Sequence, residues 1–272
     1  MNRKGFDGKA IYNPQGKAGE YSEWACNFYT GCSNNCDYCY CKKGFMGSTW
    51  NEVPQLKKCF KNEADALVVF ERELKRNLSA LRQSILFFTF TSDPFLLEDG
   101  ARETHWTAIL MALENGVPVQ ALTKRAEFAF NPYYRKTIEK YKGMIAFGFT
   151  LTGHDELEPG ASPNKDRIMA MVELHRGGFH TFASIEPVVD FVSSASMINL
   201  TMGACDLYKI GLMSGKRYNA EEKQQAIFML DMLMERTDSR FYLKDSMISF
   251  LELDRANLPG QFVGRDYNIF RG

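Results

Sequence analysis

Beyond about residue 60 the chain alternates between short apolar runs and amphipathic stretches of helical period. Leu67, Phe70, Leu74, Leu78 and Leu81 recur at the three- and four-residue steps of a one-faced helix. Residues 85–91, ILFFTFT, are aromatic and β-rich and predict a strand buried on both faces. Trp106, Ile109, Leu110 and Leu113 stripe a second helix, which Asn115-Gly116 should stop. A strand over 117–122, a helix over 132–141 and a strand over 144–151 follow. Ser162 offers a capping hydroxyl before Pro163, and the helix they start carries Ile168, Met171 and Val172 to Gly177-Gly178. Then come a strand over 179–185, a short helix over 194–201 and a strand over 207–212. Asn219 with Glu222 resembles a capping box ahead of a stripe of Ile227, Leu230 and Met234. Residues 241–243 read as one more strand, and 25–30 as the first.

Six or seven βα units with short connections imply an α/β fold with a parallel sheet and helices outside it. Eight units would need more chain, so the expected architecture is a partial, open βα barrel of about six to seven parallel strands. The expected division is an N-terminal extension over 1–23, the barrel over 24–245, and a C-terminal helix and tail over 246–272 packed on it. Functional residues should then cluster at the C-terminal ends of the strands.

Composition narrows the class. With 272 residues, 45% of them hydrophobic, the chain can bury a sizeable core and is not disordered overall. Thirty-three basic side chains balance thirty-three acidic ones, so no net field draws it to nucleic acid or an acidic membrane. No apolar run reaches the ~18–20 residues of a membrane span, and the first residues, MNRKGFDGKAIYN, lack an apolar signal core. The expectation is a cytoplasmic protein with no membrane partner.

Five of the seven cysteines, Cys26, Cys32, Cys36, Cys39 and Cys41, fall within sixteen residues. Such clustering in a chain of this size points to a metal or iron–sulfur site rather than a disulfide scaffold. Cys32, Cys36 and Cys39 form a C-x3-C-x2-C triplet just after the first expected strand. One loop with this spacing can hold three irons of a [4Fe–4S] cubane and leave the fourth open. An open iron can take the amino and carboxylate groups of S-adenosylmethionine; one electron then cleaves a C–S bond and yields a deoxyadenosyl radical. A structural zinc on Cys36 and Cys39, with two of Cys26, Cys32 and Cys41, is the competing reading, but the second C-x2-C pair of a zinc ribbon is missing. Cys26 reads as a buried strand residue and Cys41 as a bystander near the pocket, with either as a fourth ligand the competing reading, and Cys59 and Cys205 as small core hydrophobes. None of the four histidines has metal-ligand spacing; His105 and His175 fall on expected helices.

The loop, with aromatic Tyr38 before the third cysteine, resembles the signature of the radical S-adenosylmethionine superfamily. Thr91-Ser92-Asp93-Pro94, Leu122-Thr123-Lys124, Phe149-Thr150-Leu151, and Glu158-Pro159-Gly160 with Arg167 follow in the order of one branch, the spore photoproduct lyase-like proteins. The resemblance runs from about Cys32 to Glu186. It implies Cys32, Cys36 and Cys39 as cluster ligands, and Tyr38, Ser92, Asp93, Lys124 and Thr150 as contacts to S-adenosylmethionine. An ammonium at a strand end can pair with the methionine carboxylate, and hydroxyls can bond the ribose or the methionine. Lys124 as a solvated loop cation and Asp93 as a turn cap before Pro94 are the plainer alternatives.

One position departs from the branch. The lyase carries a hydrogen-donating cysteine two residues before the serine of its T-S-D element, and this sequence has Phe90 there. A phenyl ring has no weak X–H bond to give. Tyr40, which matches a relay tyrosine of the lyase, and then Cys41 are the nearest catalytic candidates; Tyr40 as plain packing stays open. Glu186, after the fifth strand, can bind substrate or pair with a basic neighbour, and Lys209 lies on the strand that follows. The resulting expectation is a radical S-adenosylmethionine enzyme, of lyase or oxidoreductase type, with a [4Fe–4S] cluster and S-adenosylmethionine as cofactors. It needs a one-electron donor such as a flavodoxin or ferredoxin, and a substrate as large as a nucleic acid or peptide fits an open barrel. The alternatives are a DNA-lesion lyase of the spore photoproduct type, and a zinc-stabilised nucleic-acid-binding module using Lys42, Lys43, Phe45 and Trp50 as its patch.

Overall fold

The computed structural model describes residues 5–43, 47–48 and 50–271. Phe45 of the basic-aromatic patch lies outside them. Eight strands form one sheet. An antiparallel edge strand, β1 (Ile11–Tyr12), pairs with β2 (Trp24–Cys26). Two further short strands, β3 (Tyr29–Thr30) and β4 (Gln55–Leu56), pair with each other outside this sheet. From β2 the sheet runs parallel through β5 (Leu86–Phe88), β6 (Val119–Thr123), β7 (Ile145–Thr150), β8 (His180–Val188), β9 (Leu207–Leu212) and β10 (Arg240–Leu243). Seven parallel strands with helices around them, and no pairing between β10 and the β1 edge, make an open βα barrel.

Alternation along the strands separates two cores. Ala183 and Ile185 of β8 pack in the large core with the helices, whereas Phe182 joins Ala25, Phe87, Ala146, Leu207, Tyr242 and Ile269 inside the barrel. Val263, Tyr267 and Phe270 of the tail pack against this inner cluster. The apolar inner residues occupy the lower part of the barrel, and polar ones (Thr150, Ser184, Glu186, Lys209, Lys244) follow toward the C-terminal strand ends.

Several local expectations change. The first strand breaks after Cys26, because the chain turns away to build the β3–β4 pair. The run over 85–91 yields only Leu86–Phe88 as strand; Thr89 Oγ1 donates to the Ser92 carbonyl at 2.7 Å, and the rest forms a loop. Ser162 does not cap the helix over Asn164–Arg176. Its hydroxyl accepts from Ala126 N and donates to Glu127, while Asp155 Oδ1 accepts from Asn164 N. The Asn219–Glu222 capping box is formed. Its helix, Ala220–Met234, buries Ala226, Met229, Leu230 and Leu233, while Ile227 and Met234 face outward, a rotation that puts the stripe one residue away from the expected one. Cys26 and Cys205 are buried, but Cys59 is exposed and not a core residue.

Candidate functional site

A cavity of about 460 Å³ opens at the C-terminal ends of the parallel strands. Its lining includes all ten residues singled out from the sequence: Cys32, Cys36, Cys39, Tyr38, Tyr40, Cys41, Ser92, Asp93, Lys124 and Thr150. Chain topology explains the convergence. The cysteine loop follows β3, just beyond β2, Ser92 and Asp93 follow β5, Lys124 follows β6, and Thr150 ends β7.

Backbone contacts clamp the cysteine loop from two sides. Cys32 N donates to Asn51 O at 3.0 Å, and Asp37 N to Leu157 O at 2.9 Å. Gly31 turns with φ +87°, where a Cβ would lie 2.5 Å from Asn51 O. Gly160 N donates to Asn34 O at 3.1 Å, and a Cβ on Gly160 would lie 1.9 Å from Ser33 O. Only glycine permits either approach. Beneath the loop, buried Glu158 accepts from Tyr38 Oη and pairs with Arg167, whose Nη1 donates to Thr150 O at 2.7 Å. The Glu158–Gly160 and Arg167 elements therefore fix the loop and the ring of Tyr38.

Asp93 is the hub of the strand-end loops. Its Oδ1 accepts from Phe95 N (2.9 Å) and Thr123 Oγ1 (2.6 Å); its Oδ2 accepts from Asn34 Nδ2 and Lys124 N (both 2.8 Å). Four bonds use the acceptor sites of a carboxylate. Asp93 thus positions its neighbours, and the turn cap toward Phe95 is one part of that work. Lys124, in contrast, has a backbone held by Asp93 and an ammonium with no hydrogen-bond or ion-pair partner among the described residues, 5.5 Å from the Tyr38 ring centroid. Burial opposes its charge, but facing Cys36, Glu158 and Cys32 outweigh burial and raise its pKa above the usual lysine value. Four residues of the cavity lining carry buried polar atoms without a partner among the described residues: Ser92 Oγ, Asn34 Oδ1, Asn35 Oδ1 and Trp50 Nε1. Polar atoms left so are rare in a folded protein unless something else meets them.

The thiols differ in character. Burial, with Asp93 nearby, holds Cys32 well above the usual thiol range, and burial raises Cys36. A hydrogen bond from Cys41 lowers Cys39 to about 6, and the same contact together with burial pushes Cys41 up. Cys41 Sγ also reaches Phe90 O at 3.8 Å, and half-exposed Tyr40 donates its phenol to the same carbonyl. Both candidate hydrogen donors thus meet at the Phe90 carbonyl. Phe90 itself stacks on Phe87, with ring centroids 4.4 Å apart and planes at 16°. Lys42 is not a free surface cation: its ammonium lies 4.7 Å over Trp50 and donates to Asn35 O at 3.1 Å. Among the described residues, no three His, Cys, Asp or Glu side chains converge on one metal ion.

At the far end of the cavity the sequence marks only Glu186 and Lys209. Glu186 Oε2 accepts from Tyr21 Oη (2.8 Å) and Lys244 Nζ (2.7 Å), and Tyr21 Oη lies 2.6 Å from Ser184 Oγ. Lys244 also donates to Lys17 O at 3.1 Å and lies 3.6 Å from Glu20. Beneath Tyr21, Lys209 donates to its carbonyl at 2.8 Å; burial and then Lys244 lower that lysine to about 7. Tyr21 and Lys17 belong to a segment whose sequence carries no period or motif. Only its place across the open side of the barrel gives them their neighbours.

No protein-family model matches the sequence, and no curated protein matches it either. Solved structures do match in fold. A substituted spore photoproduct lyase with bound AdoMet and dinucleoside spore photoproduct superposes with a TM-score of 0.53 at 16% identity, over 77% of this chain and 61% of the lyase. Streptococcus suis SuiB bound to S-adenosylmethionine gives 0.56 at 12% identity, over 83% of this chain and 52% of SuiB. The chain shares their fold. This is the fold that the cysteine motif's resemblance implied. Its match spans about three fifths of the lyase and half of SuiB. No helix among the described residues is long and apolar enough to cross a membrane.

Proposed function

We propose that this chain is a radical S-adenosylmethionine enzyme, with Cys32, Cys36 and Cys39 holding a [4Fe–4S] cluster at the mouth of the cavity. The observation that carries the reading is that three thiols of one loop, a partnerless ammonium and unpartnered polar groups all line one cavity at the strand ends of this fold. Three thiolates suit a cubane with one open iron. The cluster and S-adenosylmethionine together supply one-electron cleavage of a carbon–sulfur bond, which no side chain provides. Lys124 holds the carboxylate of S-adenosylmethionine, Ser92 and Thr150 donate hydroxyls to it, and Tyr38, braced by Glu158, lines its adenine side. A flavodoxin- or ferredoxin-class protein delivers the electron.

The substrate enters from the open mouth and meets Phe90. With a phenyl ring at that position, we assign hydrogen return to Tyr40 or Cys41, whose donors both reach the Phe90 carbonyl. The spore lesion is not the expected substrate. The test is anaerobic incubation of the reconstituted protein with S-adenosylmethionine and dithionite. 5′-Deoxyadenosine should form, and should be absent without reductant or after Cys36→Ala; equal formation by Cys36→Ala overturns the assignment.

A further inference from the structure

The turn that follows β7 is held from two sides. On one, Asp155 Oδ1 accepts from Asn164 N (2.7 Å) and Nδ2 (2.6 Å), and Asn164 Oδ1 accepts from Thr152 N at 3.1 Å. On the other, the turn packs on the start of the helix Phe191–Thr201. Gly153 turns there with φ +76°, and a Cβ on it would lie 3.0 Å from Ser193 Cβ. The ring of His154 meets the cap of that helix: Nε2 lies 2.5 Å from Asp190 Oδ2, while Nδ1 lies 2.7 Å from Glu156 Oε1. Ionised carboxylates only accept, so both ring nitrogens must donate, and only the imidazolium does that. Burial opposes the charge, but the bonds to Asp190 and Glu156 outweigh it and hold His154 above the usual histidine pKa.

The same turn grips the cysteine loop. Leu157 N donates to His154 O at 3.2 Å, and Leu157 O accepts from the amide of Asp37, between Cys36 and Tyr38, at 2.9 Å. The charges around the ring are few. Its own turn carries Asp155 and Glu156, and the helix Asn164–Arg176 brings Arg167, which pairs with Glu158 and lies 3.6 Å from Asp155. Beside Asp190, Lys216 donates to Val189 O and pairs with Glu222 at 2.8 Å. His154 is the only cation paired with Glu156 or Asp190 among the described residues. We infer that His154 is a positioning residue for the cysteine loop: as an imidazolium it pins the turn to the helix Phe191–Thr201 and so fixes the carbonyl that clamps Asp37. The inference rests on the function proposed above only for what that loop holds. A histidine raised above its free value of 6.5 keeps such a tie fully below that value and loses it as pH climbs through the folded one.

Hydrogen exchange of the cluster-loaded, full-length protein tests it, read by mass spectrometry on the peptide that contains Asp37. Protection there, corrected for the intrinsic exchange rate, should fall about three- to tenfold between about pH 6 and about pH 9, as loss of a partly exposed charged bond does. Protection of β7 should stay level over the same range. His154→Gln, which carries no charge, should show the low protection at both pH values. His154→Arg, charged throughout, should restore protection at both and remove the pH dependence. The inference is overturned by protection that does not change with pH in the unaltered protein, or by the same fall in His154→Gln. A loss shared equally by β7, or His154→Arg no better than His154→Gln, overturns it too. If the chain takes up no iron, the proposed function fails, and the same exchange on the metal-free chain still decides this inference.

Discussion

The two ends of the cavity are both polar, buried and built at strand ends, but they close their hydrogen bonds differently. At the far end Tyr21, Ser184, Glu186 and Lys244 satisfy one another, and Lys209 is tied to the Tyr21 carbonyl. At the cysteine end the supports, Asp93 and Glu158, are saturated, while the groups they hold, Asn34 Oδ1, Ser92 Oγ and the Lys124 ammonium, are not. The far end ties the N-terminal segment across the open side of the barrel: Glu20 accepts from Tyr242 Oη at 3.1 Å and from Asp245 N at 2.8 Å. One end completes the fold. The other leaves polar atoms without partners among the described residues.

That contrast makes sharp expectations. Changes at the cysteine end should alter binding and spare folding, and changes at the far end should do the reverse. The largest effect is all-or-none: Cys32→Ala, Cys36→Ala or Cys39→Ala should abolish iron incorporation, whereas Cys59→Ala and Cys205→Ala should retain it, by iron assay after reconstitution. Next, Lys244→Met leaves Glu186 and Glu20 without their cation, and breaking a buried pair this way costs about 3–5 kcal/mol. Urea unfolding should show that loss, and a midpoint equal to the parent's would break the comparison. Lys124→Ala should weaken S-adenosylmethionine binding roughly ten- to a hundredfold, ~1.5–3 kcal/mol, with iron and the urea midpoint nearly unchanged.

The remaining effect depends on pH. Lys209 titrates near 7 in the fold against 10.5 as a free lysine, so between those values the unfolded chain holds more protons. The contribution of Lys209 to stability therefore rises with pH from about 7 to 10.5, and its full cost is present below 7. Lys209→Met should remove that slope, making the variant more stable at pH 6 by up to roughly 4–5 kcal/mol and giving no advantage near pH 10.5. Parallel unfolding curves at the two pH values check this; an equal difference at both would show that the lysine is not held neutral.

Much of the cysteine end was legible because its chemistry is local. The C-x3-C-x2-C spacing places three thiols on one loop whatever the rest of the chain does, and strand order then brings Ser92 and Lys124 beside them. Apolar runs marked the parallel strands, with edges that shifted where a loop took over, as after Phe88. The four donors around Asp93 were not legible, because sequence gives a carboxylate's position and not how many donors surround it. The stripe of the Ala220–Met234 helix was rotated because Ile227 and Met229 are equally apolar, and only packing decides which faces the core. Tyr21, Glu20 and Lys244 stayed hidden for a different reason. Lys244 lies more than two hundred residues from Glu20 and Tyr21 and meets them only because the N-terminal segment crosses to the last strand of the open barrel.

The most direct test of the central claim is the metal and sulfide content of the protein reconstituted without oxygen. The account predicts a brown protein with about four irons and four sulfides per chain, lost when Cys32, Cys36 or Cys39 is replaced. A colourless protein with one zinc per chain and no sulfide, unaffected by Cys32→Ala, would contradict it.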